Sequence, residues 1–161
     1  MNIDFHIDEV VPHAGIMSLL DRVADYGTDW LVAEVAIGPH TLFMEEGGVP
    51  AWVGIEYMAQ AVAAFAGVQR QQQGLDAAVG FLVGTRKYSS SHSFFLEGVT
   101  LRIKVEREFQ ADNGLGVFDC SIRGATEKSE EIAADAALNV FQPEDVQEFL
   151  NQGAASHKQQ S

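Results

Sequence analysis

The amino-acid sequence predicts a single α+β domain in which an antiparallel sheet curls around one long, nearly apolar helix. Two patterns carry this expectation. From Ala51 to about Gln72 almost every position is apolar or small. A helix apolar on all sides has to be covered by protein on all sides. The second half of the chain then alternates with period two: Leu101, Ile103 and Val105 against Arg102, Lys104 and Glu106, then Phe118, Cys120 and Ile122 against Asp119, Ser121 and Arg123. Such alternation marks strands with one buried and one wet face.

The elements follow in order. Residues 15–23 predict a short helix that runs into a strand. Residues 30–37, rich in branched and apolar side chains, predict a strand that Gly38 and Pro39 stop. A loop over residues 40–48 ends in Gly47 and Gly48. Pro50 then suits the first turn of a helix, where its missing N–H has no partner to lose, and Gly74 suits the far end. Residues 79–85 predict a strand that 86–91 extend or follow. Glycines at 114 and 116 predict a hairpin turn between the two alternating strands. Residues 132–141 supply a last strand and 143–151 a short closing helix. A sheet that must cover one fully apolar helix has to wrap it, which is the hotdog architecture. The domain is expected to span residues 1–152, with 153–161 a small, polar, frayed tail.

Composition narrows the function classes. The chain has 161 residues, 47% hydrophobic and 20% charged, enough for one real core. A net charge of −13 excludes a nucleic-acid surface, which needs clustered Lys and Arg, and disfavours an anionic membrane. Residues 51–68 are the one candidate for a membrane span. They contain Glu56 and Gln60 and follow acidic Glu45 and Glu46, so a core helix is the better reading. No basic start followed by an apolar run opens the sequence, so no secretory signal is expected. The lone Cys120 excludes an internal disulfide and suits a reducing cytoplasm.

Glu56 is the first candidate for chemistry, because an acid embedded in an apolar helix must find a partner or hold its proton. Gln60 lies one turn further on the same face and could hydrogen-bond it. A structural role at solvent or at a subunit interface is the competing reading. Ala51 and Trp52, at the helix start, would leave backbone N–H groups free to polarise a carbonyl or hold an anion. Of the five histidines, His6, His13, His40, His92 and His157, the last lies in the tail. His40 precedes the helix and is the leading base, with His13 and His92 as rivals. No zinc-ligand spacing, phosphate loop, dinucleotide motif or serine elbow occurs, so neither a metal nor a cofactor is expected.

The segment Pro50-Ala51-Trp52-Val53-Gly54-Ile55-Glu56-Tyr57-Met58-Ala59-Gln60 resembles the central-helix motif of bacterial 3-hydroxyacyl-carrier-protein dehydratases. Pro50, Glu56, Ala59 and Gln60 fall at the matching spacing. Val11-Pro12-His13 through Leu19-Leu20-Asp21-Arg22-Val23 resembles the family's amino-terminal segment. Gly80-Phe81-Leu82-Val83-Gly84 and Gly98-Val99-Thr100-Leu101 resemble its later strand and turn. The helix wording is more similar still to the ApeP-like dehydratases of aryl polyene pigment clusters. Two departures stand out. The family histidine of a Gly-His-Phe-Pro motif would fall on Leu42, two residues after His40, and the family glycine at the helix start is Ala51 here.

The resemblance implies removal of water from a 3-hydroxyacyl group on an acyl carrier protein. His40 would be the base, Glu56 the acid and the Ala51 N–H the oxyanion donor, with Gln60 and His13 at the substrate. It implies no cofactor, an acyl tunnel beside the helix, and sites shared between subunits of a homodimer or of a heteromer with a second hotdog subunit. Arg70, Arg86 and Lys87 would form the basic patch for an acidic carrier protein. Two alternatives stay open: a hotdog thioesterase in which Glu56 activates water, and a catalytically weak partner subunit of a mixed dehydratase.

Overall fold

The computed structural model describes residues 19–74, 81–126 and 128–141. The predicted opening helix, the closing helix, the tail and the ends of the domain lie outside them. Among the described residues the chain forms β1 (Arg22–Tyr26), β2 (Trp30–Ala36), β3 (Val49–Pro50), α1 (Val53–Gln72), β4 (Phe81–Ser90), β5 (Phe94–Phe95), β6 (Thr100–Gln110), β7 (Leu115–Ala125) and β8 (Glu131–Phe141). Six strands make one antiparallel sheet in the order β1-β2-β6-β7-β8-β4, and β3 pairs with β5 in a separate two-stranded patch.

The alternation read from the sequence sets the sheet's two faces. Leu101, Ile103 and Val105 of β6, Cys120 and Ile122 of β7, and Ile132, Ala134 and Leu138 of β8 are buried against the helix. The opposite face carries ion pairs, with Glu34 joined to Arg22 and Arg102, and Arg123 joined to Asp135. Exposed pairs of this kind contribute about 0–1 kcal/mol each. The apolar face therefore supplies most of the stability. Register shifts occur in the β1–β2, β4–β8 and β6–β7 pairings. Bulges of this kind increase local twist, which lets a sheet curl. The result is a hotdog: a curled antiparallel sheet around one helix.

Two details differ from the expectation, at Pro50 and at the β6–β7 turn, while residues 86–90 extend the expected strand. Pro50 lies in β3, paired with Phe94, and helical hydrogen bonding starts beyond it. A two-residue pairing across 45 residues of sequence leaves no periodicity to read. Residues on both sides of Arg86 form one strand, β4. The β6–β7 turn closes at Gly114 (φ 94°), whose N–H donates to the Ala111 carbonyl, and Gly116 lies inside β7. At the end of α1, Gly74 adopts φ 76°, and the N–H groups of Gln73 and Gly74 cap the carbonyls of Arg70 and Gln71.

The sheet covers only one side of α1. Val53, Tyr57, Met58, Ala61, Ala64, Phe65 and Val68 are buried, whereas Trp52 and Glu56 are exposed and Ile55, Ala59, Ala63 and Ala66 are half-buried. Positions 52, 56, 59 and 63 follow helical spacing and share one stripe. Among the described residues the sheet does not cover that stripe. Among the described residues no helix is long and apolar enough to cross a membrane.

Candidate active site

The start of α1 is held from two sides. Pairing of β3 with β5 brings Ser93 beside the helix start, and the Ala51 N–H donates to the Ser93 carbonyl at 2.9 Å. The Tyr88 hydroxyl of β4 donates to the Ala51 carbonyl at 2.5 Å. Burial pushes the Tyr88 phenol up to about 12, so it stays a donor at neutral pH. Gly54 makes this approach possible, because a Cβ there would sit 2.3 Å from the Tyr88 hydroxyl.

The expected oxyanion donor is therefore displaced. The Ala51 N–H is already engaged by Ser93 and cannot also meet a substrate carbonyl in this arrangement. The N–H groups of Trp52 and Val53 come next, and among the described residues neither has an acceptor. Donors without intrahelical partners are what the first turn of any helix leaves over. Here they lie on the turn that also carries Glu56.

Glu56 is exposed rather than embedded, because its position on α1 faces away from the sheet. Among the described residues it makes no hydrogen bond or ion pair. The expected Gln60 partner is turned elsewhere: the Gln60 Oε1 accepts the Leu19 N–H at 2.8 Å, tying the helix to the segment before β1. His40 lies exposed in the turn after β2 and, among the described residues, makes no hydrogen bond or ion pair with Glu56. His13 lies outside the described residues. His92 is engaged on both ring nitrogens, Nδ1 with the Ser91 hydroxyl at 2.7 Å and Nε2 with Glu130 at 3.3 Å. That leaves His40 as the described histidine with no partner.

The three basic candidates do not form one patch. Tyr88 reaches Ala51, so its neighbours Arg86 and Lys87 belong to the helix-start end, exposed and without an ion pair among the described residues. Arg70 lies in the last turn of α1, roughly 25 Å along the axis from Val53 at 1.5 Å per residue. Among the described residues no group of His, Cys, Asp or Glu side chains could hold a metal ion.

The sequence profile of the ApeP-like family, ApeP dehydratase, matches residues 5–151. The chain belongs to that family. None of the curated proteins searched matches it in sequence. Among solved structures, the dehydratase heterocomplex ApeI:P from Xenorhabdus doucetiae superposes with a TM-score of 0.81 at 24% identity, covering 93% of this chain and 98% of that one. A hypothetical thioesterase from Streptococcus pneumoniae TIGR4, solved with coenzyme A, gives 0.58 at 11% identity, covering 75% of this chain and 84% of that one. The PaaI protein of the E. coli phenylacetic acid degradation operon gives 0.52 at 13%, covering 75% and 78%. At these identities the structural likenesses establish the hotdog fold. The family match establishes a dehydratase.

Two groups at this end of the family fold escaped sequence reasoning. Tyr88 and Ser93 act on the helix start through a hydroxyl and a backbone carbonyl some forty residues away, and no spacing rule connects them. Tyr57 is the other case. Its ring packs on Phe95 and it is 1% exposed, yet its hydroxyl is the one buried side-chain polar atom without a partner among the described residues. Burial and then the Asp21 charge push that phenol up to about 12. Since an unsatisfied buried group costs about 1–3 kcal/mol, Tyr57→Phe should leave stability unchanged or raise it by about 1 kcal/mol. Urea unfolding measures this, and a loss above that size would mean that the hydroxyl has a partner. Cys120 is 1% exposed, and burial followed by the Asp119 charge pushes its thiol up to about 12. It is no nucleophile at neutral pH.

Proposed function

We propose that this chain dehydrates a 3-hydroxyacyl thioester on an acyl carrier protein to the trans-2-enoyl form. The observation that carries the reading is an exposed, unpartnered Glu56 on the turn whose Trp52 and Val53 N–H groups have no acceptor, in a chain of a dehydratase family. A base takes the proton from C2, electrons move to the C2–C3 bond, and the C3 hydroxyl leaves as water with a proton from Glu56. The Trp52 and Val53 N–H groups hold the enolate-like oxygen of the thioester carbonyl. His40 is the base, brought to Glu56 by the loop of an opposing subunit that covers the exposed stripe of α1. Closing that stripe also keeps bulk water away from the reacting atoms. The acyl chain lies along the small residues beside Glu56. His13 remains a candidate at the substrate, and Gln60 acts by fixing the helix to Leu19. The setting is the cytoplasm and the pathway, by resemblance, aryl polyene formation.

Arg86 and Lys87 are the docking cations for the carrier protein. Reversing both to glutamate should raise KM for carrier-bound substrate about tenfold or more and leave kcat nearly unchanged, since exposed charges act on encounter. Steady-state kinetics at two salt concentrations read this out. An unchanged KM would remove these residues from docking.

A second reading has its own support. No hydrogen bond or ion pair joins His40 to Glu56 among the described residues, and one structural relative is itself a dehydratase heterocomplex. In this reading the chain completes a site only beside a different hotdog subunit. Mass spectrometry of a 3-hydroxyacyl carrier protein, incubated with the chain alone and with a second hotdog dehydratase, separates the two. Loss of one water with the chain alone supports a homomeric enzyme, and loss only in the mixture supports the heteromer. Release of free carrier would mean thioester hydrolysis and sink both.

A further inference from the structure

A half-open cavity of about 150 Å³ lies between the last two turns of α1 and the β6–β7 hairpin. Its position separates it from the proposed reaction centre. Phe65 follows Glu56 by nine positions, and the polar lining at Gln69 and Gln73 lies further still, so the cavity is roughly 13–25 Å along the axis at 1.5 Å per residue. Phe65, Ala66, Phe118 and Val140 form an apolar wall, with the two phenylalanine rings packed edge to face at 5.6 Å. Cavities of about 150 Å³ accept a benzene-sized group.

The polar side of the cavity offers donors. Arg107 lies over the Phe65 ring at 5.3 Å and is fixed by N–H donations to the Gln110 Oε1, the Gln69 Oε1 and the Asp29 Oδ1. A guanidinium has five N–H groups, so these three bonds leave others unused. Both glutamine carbonyl oxygens are turned onto Arg107. The Gln69 amide nitrogen goes to the Thr28 carbonyl, and the Gln110 amide nitrogen has no acceptor among the described residues. Among the described residues no carboxylate lines the cavity, and Asp29, which is ion-paired to Arg107 at 2.8 Å, is not part of the lining. The negative end of α1 is close by, but the N–H groups of Gln73 and Gly74 already occupy its carbonyls at Arg70 and Gln71. What remains is a prepositioned guanidinium edge and an amide donor above an apolar floor.

We infer that this cavity is a binding site for a small organic carboxylate whose apolar body is about the size of a benzene ring. The carboxylate takes the unused N–H groups of Arg107 and the Gln110 amide, and the body lies against Phe65 and Phe118. A planar fork recognises a carboxylate by two parallel bonds, which an ammonium cannot reproduce. The site is independent of the dehydration reading and stands whether that reading holds or fails.

The test uses the full 15N-labelled chain, with benzoate as the probe and benzyl alcohol and inorganic phosphate as controls. Benzoate should bind at least about tenfold more tightly than either control, because only it offers both the anion and the body. The amide shifts should centre on the last turns of α1 and on Gly114 and Gly116, not on residues 52–59. Ala66→Leu fills the cavity and should weaken benzoate at least about tenfold in a chain of unchanged circular dichroism. Arg107→Lys keeps the charge, loses the fork and should weaken it similarly. Should Arg107→Lys fail to fold, Ala66→Leu carries the test alone. Equal binding of benzyl alcohol, equal binding of phosphate, indifference to Ala66→Leu, shifts centred on the helix start, or no binding at about 10 mM benzoate would each overturn the assignment.

Discussion

Glu56→Gln should reduce dehydration by about 10²–10⁴-fold while the chain folds as before. The size is that of a general acid or base removed from a transition state, since glutamine keeps the shape and a hydrogen-bonding tip but has no proton to give. The second half of the expectation follows from the structure. Glu56 is exposed, and among the described residues it makes no hydrogen bond or ion pair that the substitution could break. Surface changes of this kind stay within about 0.5 kcal/mol. A structural acid would behave in the opposite way, losing stability with modest kinetic effect. The measurement is turnover by mass spectrometry beside thermal unfolding, on whichever assembly shows activity. Full activity in the glutamine variant would remove Glu56 from the chemistry. Lost activity with lost stability would move it to a structural role at the interface.

Much of the fold was readable because burial imposes a period. Leu101, Ile103 and Val105 alternate in the sequence, and the same alternation is buried in β6. The apolar run after Pro50 announced α1 for the same reason. What failed concerned which side of an element meets what. The run's near-uniform apolarity hides the fact that one stripe faces away from the sheet, so sequence alone leaves Glu56 open between an embedded acid and one at solvent or an interface, and it is exposed. Its exposure holds among the described residues, and a composition that suits burial on all sides is what the proposed opposing subunit would explain at Ala59 and Ala63. The engagement of the Ala51 N–H, the expected oxyanion donor, has a related cause. Spacing identified the helix start to within two residues, but which N–H remained free depended on Ser93, whose carbonyl reaches Ala51 only after β3 and β5 pair. Gln60 was assigned to Glu56 by helical neighbourhood and was captured by the Leu19 N–H instead. Long-range backbone bonds leave no mark on a local pattern.

Gly54→Ala tests that arrangement at its tightest point. On helix propensity alone the substitution should stabilise this first-turn position by less than the ~1 kcal/mol seen in helix interiors. Packing opposes it, because the new Cβ would lie 2.3 Å from the Tyr88 hydroxyl, 3.1 Å from Ile122 Cδ1 and 3.2 Å from Phe95 Cζ. Overpacking of this kind costs about 1–3 kcal/mol. Displacing Tyr88 also forfeits its hydrogen bond to the Ala51 carbonyl, a further loss of about 0.5–1.5 kcal/mol. The balance predicts a net destabilisation of about 1–3 kcal/mol in urea unfolding. It also predicts reduced turnover, since Tyr88 helps to fix the turn carrying the free Trp52 and Val53 N–H groups. Tyr88→Phe removes the nearest clashing atom together with the hydrogen bond. The double variant should therefore be less destabilised than the sum of the two single changes, with a coupling of about 0.5 kcal/mol or more. Ile122 and Phe95 would still have to yield by a few tenths of an ångström, so full recovery is not expected. A Gly54→Ala chain as stable as the wild type would mean that Tyr88 swings aside at no cost, and the hold of β4 on the helix start would then be incidental to its position.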